Sequence, residues 1–112
     1  MSCLFCQIIE GKLPAEKVYE DETLVAIKDI HPAAPVHLLL IPRRHIATAL
    51  DLEAGDADLI GKLYLTAVEL ARQRNLEAGF RIVHNCNEAG GQSVYHLHFH
   101  LLGGRQLGWP PG

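Results

Sequence analysis

The chain has 112 residues, of which 48% are hydrophobic and 21% charged, with a formal net charge of -3. That length suits one domain spanning 1–112, with enough apolar residue for a core without disulfides, and the composition excludes intrinsic disorder. The acidic balance excludes a protein that grips a nucleic-acid backbone by charge, and no apolar run of about 18 residues is present to cross a membrane. Three cysteines make a poor disulfide framework, and "MSCLFCQIIEGK" lacks the pattern of a signal peptide. A soluble, cytoplasmic protein is the expectation.

In chain order, Leu4 to Glu10 reads as a short helix that Gly11 stops. "KVYEDETLVAIKDI" reads as two short strands joined by a turn at 20–22. "VHLLLIP", 36–42, is a continuous apolar run suited to a strand buried on both faces, ended by Pro42. Asp56 to Asn75 is the clearest helix. Leu59, Leu63, Thr66, Ala67 and Leu70 recur at helical spacing, Asp56 or Asp58 is placed to cap, and Arg72 and Arg74 complement the dipole. "GFRIVHN", 79–85, alternates as a strand. It is followed by the loop "CNEAGGQS", a histidine-rich strand to Leu102, and an irregular tail "GGRQLGWPPG". The sum is a mainly antiparallel α+β domain of about five strands with one long helix.

"HLHFH", 96–100, is the feature that points to chemistry. On a strand, His96, His98 and His100 would share one face and Leu97, Phe99 and Leu101 the other. Alternate residues lie about 6.5–7 Å apart, so one metal ion cannot easily collect all three from a straight strand. The preceding "NEAGGQSVYH" adds Gly90 and Gly91, whose amides could form an anion-binding nest, and the Ser93 hydroxyl. Imidazoles beside phosphate donors suit phosphoryl or nucleotidyl transfer, with a neutral imidazole as nucleophile. A zinc hydrolase using the same histidines as ligands is a weaker reading. Elsewhere, His84 is read as pointing outward, "RRH" at 43–45 as a solvated turn, and His31 as exposed near a binding pocket.

"HLHFHLLGGR", preceded by "GGQSVYH", resembles the signature of the histidine triad family. "CLFCQIIEGKLPAEKVYED", "AIKDIHPAAPVHLLLIPRRH" and "GGRQLGWPPG" extend the likeness to its nucleotide-binding branch over the whole chain. The resemblance implies a purine nucleoside phosphoramidase that cleaves the P–N bond of adenosine or guanosine 5′-phosphoramidates without a catalytic cofactor. It implies His98 as nucleophile, the His96 carbonyl as its orienting acceptor, and His100 and His37 beside the phosphate. It also implies that Asn85, Gly91, Gln92 and Ser93 contact ribose or phosphate, that Asp29 takes the ribose hydroxyls with Ile30 beside it in the substrate site, and that nearby apolar residues sandwich the base. A homodimer is implied too, with Trp109 reaching the partner's site. Triad proteins with an N-terminal Cys-x-x-Cys imply a structural zinc on Cys3, Cys6, His45 and His96. The alternative to catalysis is a regulatory module that holds nucleotide with little turnover.

Overall fold

The computed structural model describes residues 3–112. Five strands and two α-helices follow in the order α1 (Leu4–Ile9), β1 (Lys17–Glu20), β2 (Leu24–Lys28), β3 (Val36–Pro42), α2 (Ala57–Gln73), β4 (Phe80–His84) and β5 (Phe99–Gly103). The strands form one antiparallel sheet in the order β1-β2-β3-β5-β4, so β5 is inserted between β3 and β4. The expected fold is the observed one.

Alternation along the central strands builds two cores. Leu24, Ala26, Leu38, Leu40, Phe99 and Leu101 face α2 and meet Leu63, Ala67 and Leu70. Val25, Ile27, Leu39 and Ile41 point the other way and meet Phe5 and Ile8 of α1. Strands β2 and β3 are therefore covered on both faces, which is why they read as unbroken apolar runs. Leu63, Leu97 and Leu101 are fully buried, and each such side chain stabilises the fold by about 1.5–3 kcal/mol. The second, thinner layer is what leaves space beside α1 for a site.

Turn chemistry sets the strand ends. Asp21 Oδ1 accepts from the amides of Thr23 (2.7 Å) and Leu24 (3.0 Å), closing the β1–β2 hairpin. Its other oxygen takes the Tyr19 hydroxyl at 2.6 Å and lies 3.1 Å from Lys62 Nζ on α2. Burial alone would raise the Asp21 carboxyl, but these hydrogen bonds outweigh it and hold the group well below the usual range. Gly11, at φ 79, ends the α1 segment as expected. Two residues beyond the end of α2, Asn75 takes φ 61, and the Leu76 amide bonds back to the Ala71 carbonyl at 2.9 Å.

Two expectations are corrected here. Asp56 occupies the N-cap position of α2 without a side-chain cap. Its carboxylate instead accepts from the Glu53 amide at 2.9 Å and pairs with Arg44. The histidine strand is also shorter than expected, because β5 begins at Phe99. Leu40 pairs with Phe99, so continuing the register would set Pro42 opposite Leu97. Proline has no N–H to extend the ladder. The Leu97 amide turns instead to the Ile46 carbonyl at 2.6 Å, and His96 to His98 lie outside the sheet. No helix among the described residues is long and apolar enough to cross a membrane.

Candidate active site

His98 is buried where the chain enters β5, and its Nδ1 donates to the His96 carbonyl at 2.7 Å. The proton is therefore on Nδ1 and the Nε2 lone pair is free. Burial pushes the imidazole below its ordinary pKa against the raising effect of the His96 carbonyl, so the ring is neutral at pH 7. Phe5 of α1 packs edge-on against it at 5.0 Å between ring centroids and 90° between planes.

His100, on β5, and His37, on β3, stand on the same sheet face. The Ala33 amide donates to His37 Nδ1 at 3.0 Å, which leaves the His37 proton on Nε2. That Nε2–H points at His100 Nδ1, 2.9 Å away, and so the His100 proton is on its own Nε2. Burial and the neighbouring His98 and His37 lower the His100 pKa to about 4. His37 is lowered chiefly by burial, with Asp29 opposing. The 3.4 Å approach of His37 Nε2 to Asp29 Oδ2 is thus a contact between a neutral ring and a carboxylate, not an ion pair at pH 7. Asp29 Oδ1 accepts from the His31 amide at 2.8 Å. Side by side stand one imidazole with a lone pair exposed and another with an N–H exposed.

A cavity of about 410 Å³ opens over these groups. His98, His100, Asp29 and Ser93 are among its polar lining residues, with Lys28 and His31, while Phe5, Ile8 and Ile30 are among its apolar walls. Ile30 is 85% exposed at the rim, and His31 lines the opening and is exposed, as expected. A second cavity of about 450 Å³ lies between the end of α2, the start of β4 and the segment after β5. Its lining contains no histidine, cysteine or carboxylate, so it offers no comparable chemistry.

The structure brings several expected residues elsewhere. Asn85, Gly91 and Gln92 are outside the cavity wall. The Gly90, Gly91 and Gln92 amides bond back to Asn87 and Glu88, so the expected glycine nest has no free donors at these positions. Asn85 Nδ2 donates to the Gly90 carbonyl at 2.7 Å. Gly91 has φ +94, and a Cβ there would lie 3.3 Å from that same Nδ2. Gln92 is buried, accepting from the Asn87 amide and donating to the Ala47 and Val94 carbonyls; it holds the loop together. Trp109 is exposed on a tail that Arg81 Nη2 holds at the Gly108 carbonyl. His84 does not point outward: it is half-buried, stacked on Phe99 at 4.8 Å. "RRH" is exposed at Arg44 and His45, as expected of a solvated turn, but each residue has a partner: Arg43 bonds Asp21 and Glu20, Arg44 pairs with Asp56, and His45 joins the group described next.

Cys3, Cys6, His45 and His96 bring four donor atoms within 4.8 Å of one another. His96 Nε2 donates to the Pro42 carbonyl at 2.7 Å, leaving the Nδ1 lone pair aimed at the thiols. Cys3 Sγ–His96 Nδ1 is 3.3 Å, Cys6 Sγ–His45 Nδ1 3.5 Å, Cys6 Sγ–His96 Nδ1 3.6 Å and His45 Nδ1–His96 Nδ1 3.2 Å. A tetrahedron with zinc–sulfur bonds of about 2.3 Å and zinc–nitrogen bonds of about 2.0–2.1 Å has edges of about 3.6 Å between S and N and about 3.3 Å between nitrogens. The donor set and its dimensions fit zinc. Burial and the adjacent Cys3 push the Cys6 thiol up, so binding a cation there releases protons. Sequence reasoning missed Phe5, Ala33 and Pro42, and none of the three carries a chemical signature: one is a ring edge, and two act through the backbone.

Residues 2–108 match the family described as "Scavenger mRNA decapping enzyme C-term binding". A "14 kDa zinc-binding protein" of Brassica juncea is 47% identical over 97% of this chain and 98% of its own. A solved "HIT family hydrolase" from Legionella pneumophila superposes with a TM-score of 0.98 at 51% identity, covering 99% of this chain and all of that one. A histidine triad nucleotide-binding protein from Candida albicans superposes with a TM-score of 0.83 at 30% identity, over 97% of this chain and 83% of its own. With an alternating triad whose members diverge into a thiol group and a cavity, and with these likenesses over nearly its whole length, the chain belongs to the histidine triad family.

Proposed function

We propose that the protein is a hydrolase of purine nucleoside 5′-phosphoramidates that works through a nucleotidyl-histidine intermediate. The observation that carries this reading is the fixed polarity of His98: its Nδ1–H is held by the His96 carbonyl, and its Nε2 lone pair has only the cavity to face. The hydrolase named from Legionella pneumophila and the nucleotide-binding protein named from Candida albicans support the reaction class and the ligand class.

In this reading His98 Nε2 attacks phosphorus, and the P–N bond to the amine breaks. The departing nitrogen takes a proton, for which the His100 N–H and the Ser93 hydroxyl are the nearby donors. An entering phosphate raises the pKa of His100, so that the ring takes up a proton and, as an imidazolium, passes one to the departing nitrogen. Water then attacks the nucleotidyl-His98 and gives up a proton to the now neutral His100, the phosphorus–imidazole bond breaks, and the nucleoside monophosphate leaves with the His98 imidazole regenerated. Asp29 is the acceptor for a vicinal diol, and Ile30 with Ile8 offers apolar walls for a purine. His37 keeps the His100 tautomer that presents N–H to the phosphate.

Zinc held by Cys3, Cys6, His45 and His96 supplies a structural cross-link, and catalysis needs no cofactor. A cytoplasmic homodimer completes the reading. The open edge of β4, which begins at the exposed Phe80, with Tyr64 and Leu65 exposed on α2, is the surface for it, and Trp109 would extend toward the partner. The test is hydrolysis of adenosine 5′-phosphoramidate by wild type and His98→Ala, with intact-mass detection of adducts. Turnover and an adenylyl adduct are expected only in wild type. Equal nucleotide binding by both proteins without turnover would make the chain a nucleotide-binding regulatory module instead.

A further inference from the structure

We propose that α1 is a movable wall of the His98 cavity which the Cys3/Cys6/His45/His96 group clamps shut, and that Phe5, carried between the two thiols, is a positioning residue for His98.

Helix α1 has six residues, too few to persist by itself. Its backbone bonds run to its own cap and to the segment just after it: Lys12 and Leu13 bond the Gln7 carbonyl, and Gly11 the Ile8 carbonyl. Among the described residues, the hydrogen bonds that join α1 or its cap to the chain beyond residue 13 all pass from Cys3 or Cys6 to His45 or His96. Two neutral thiols are weak hydrogen-bonding partners. Zinc would turn the same four atoms into a strong cross-link between the first residues of the chain and the entrance to β5.

What α1 carries into the cavity makes that cross-link matter. Leu4, Phe5 and Ile8 are wall residues. Phe5 is 4% exposed, and its ring meets both His98 at 5.0 Å and His96 at 6.1 Å between centroids. His96 belongs to both devices: its Nδ1 faces the thiols while its carbonyl holds His98 Nδ1. A ring pressed edge-on and a single carbonyl, together with the His100 ring at 5.1 Å, restrain the direction of the His98 lone pair, and the clamp touches the carriers of the first two. Displacing a reacting atom by about 1 Å is enough to lower a rate about 100-fold. Filling or emptying the four-donor group therefore sets both the shape of the cavity and the aim of its nucleophile.

The phosphoramidase reading underlies only the turnover arm of the test. Full-length protein, zinc-loaded and then stripped with a chelator, is compared by amide hydrogen exchange and by calorimetric binding of adenosine 5′-monophosphate. Stripping should raise exchange over residues 4–9 by about ten-fold or more while α2 and β3 keep their protection, and should weaken nucleotide binding by about ten-fold. Unchanged exchange over that segment, or exchange rising equally through α2 and β3, overturns the proposal. In the zinc-loaded protein, Phe5→Leu should keep its zinc and lower kcat about ten-fold with little change in KM. A variant that loses thermal stability but keeps kcat makes Phe5 only a packing residue and overturns its positioning role. If wild type hydrolyses no phosphoramidate yet exchange and nucleotide affinity still follow zinc, the phosphoramidase reading fails and the clamp stands.

Discussion

Two clusters in this protein hold similar donors at similar spacing and present them with opposite polarity. Cys3, Cys6, His45 and His96 form one, and Asp29, His37 and His100 form the other; in each, the donor atoms lie within 4.8 Å of one another. Proximity alone would make both metal sites. The difference is where each imidazole keeps its proton. His96 gives its Nε2 proton to the Pro42 carbonyl and turns a lone pair to the thiols. His37 receives the Ala33 amide at Nδ1, so its Nε2 carries a proton toward His100 and has no lone pair for an ion. A single backbone partner, a carbonyl in one case and an amide in the other, decides between an imidazole that offers a lone pair and one that offers an N–H. The polarity of a histidine cluster has to be read from its outer hydrogen bonds before its chemistry can be named.

That contrast can be broken by metal content, where the largest effect is expected. The double variant Cys3→Ser, His45→Ala should fall from about one zinc per chain to none by elemental analysis, whereas Asp29→Asn should keep its zinc. Zinc retained by the first variant, or lost from the second, would remove the distinction. Next in size is the proton-donor side. His37→Ala should lower turnover of adenosine 5′-phosphoramidate about 100-fold or more while zinc content stays unchanged. A loss of zinc in that variant would mean the two clusters are not separate.

Titration sharpens the same contrast. Burial, with His98 and His37 beside it, depresses His100 from the ordinary histidine value to about 4. The unfolded chain then takes up a proton that the folded chain refuses, so stability from this group is complete above about pH 6.5. It is lost as the pH falls from there toward 4, and no further below that. Denaturant midpoints between pH 4 and pH 7 should drop by an amount on the order of 2 kcal/mol, and His100→Asn should flatten that drop. A slope unchanged in the variant would assign it to other groups. The smallest effect concerns the loop between the clusters. Gln92→Ala leaves the Asn87 amide and two carbonyls without their partner, costing about 1–3 kcal/mol in thermal unfolding, with KM for the phosphoramidate held. A raised KM with unchanged stability would return Gln92 to the substrate-binding residues.

Gln92 shows why parts of the site were illegible in the chain. Its neighbours Gly90, Gly91 and Ser93 read as a phosphate loop, and Ser93 does line the cavity. Yet whether a side-chain amide faces ligand or backbone depends on Ala47, 45 residues away, and no local pattern carries that. His45 was readable as a metal ligand only through family likeness, since "RRH" by itself suggests a solvated turn. The triad misled in a similar way. Strict alternation puts three imidazoles on one face, but Pro42, on a neighbouring strand, denies the ladder an N–H at the point where His96 and His98 part.

By itself the sequence determined what depends on near neighbours. The buried alternation of β2 and β3 follows from side-chain period, the stop at Gly11 from a conformation open to glycine, and α2 from its apolar stripe. It also marked the histidines as a set, because five consecutive positions hold three of them. Only the tertiary structure decided what each imidazole does. A ring nitrogen becomes lone pair or donor according to the group it meets: His37 and His98 meet backbone groups four and two residues away, but His96 meets the Pro42 carbonyl and His100 meets His37 only because β3 and β5, distant in the chain, lie side by side.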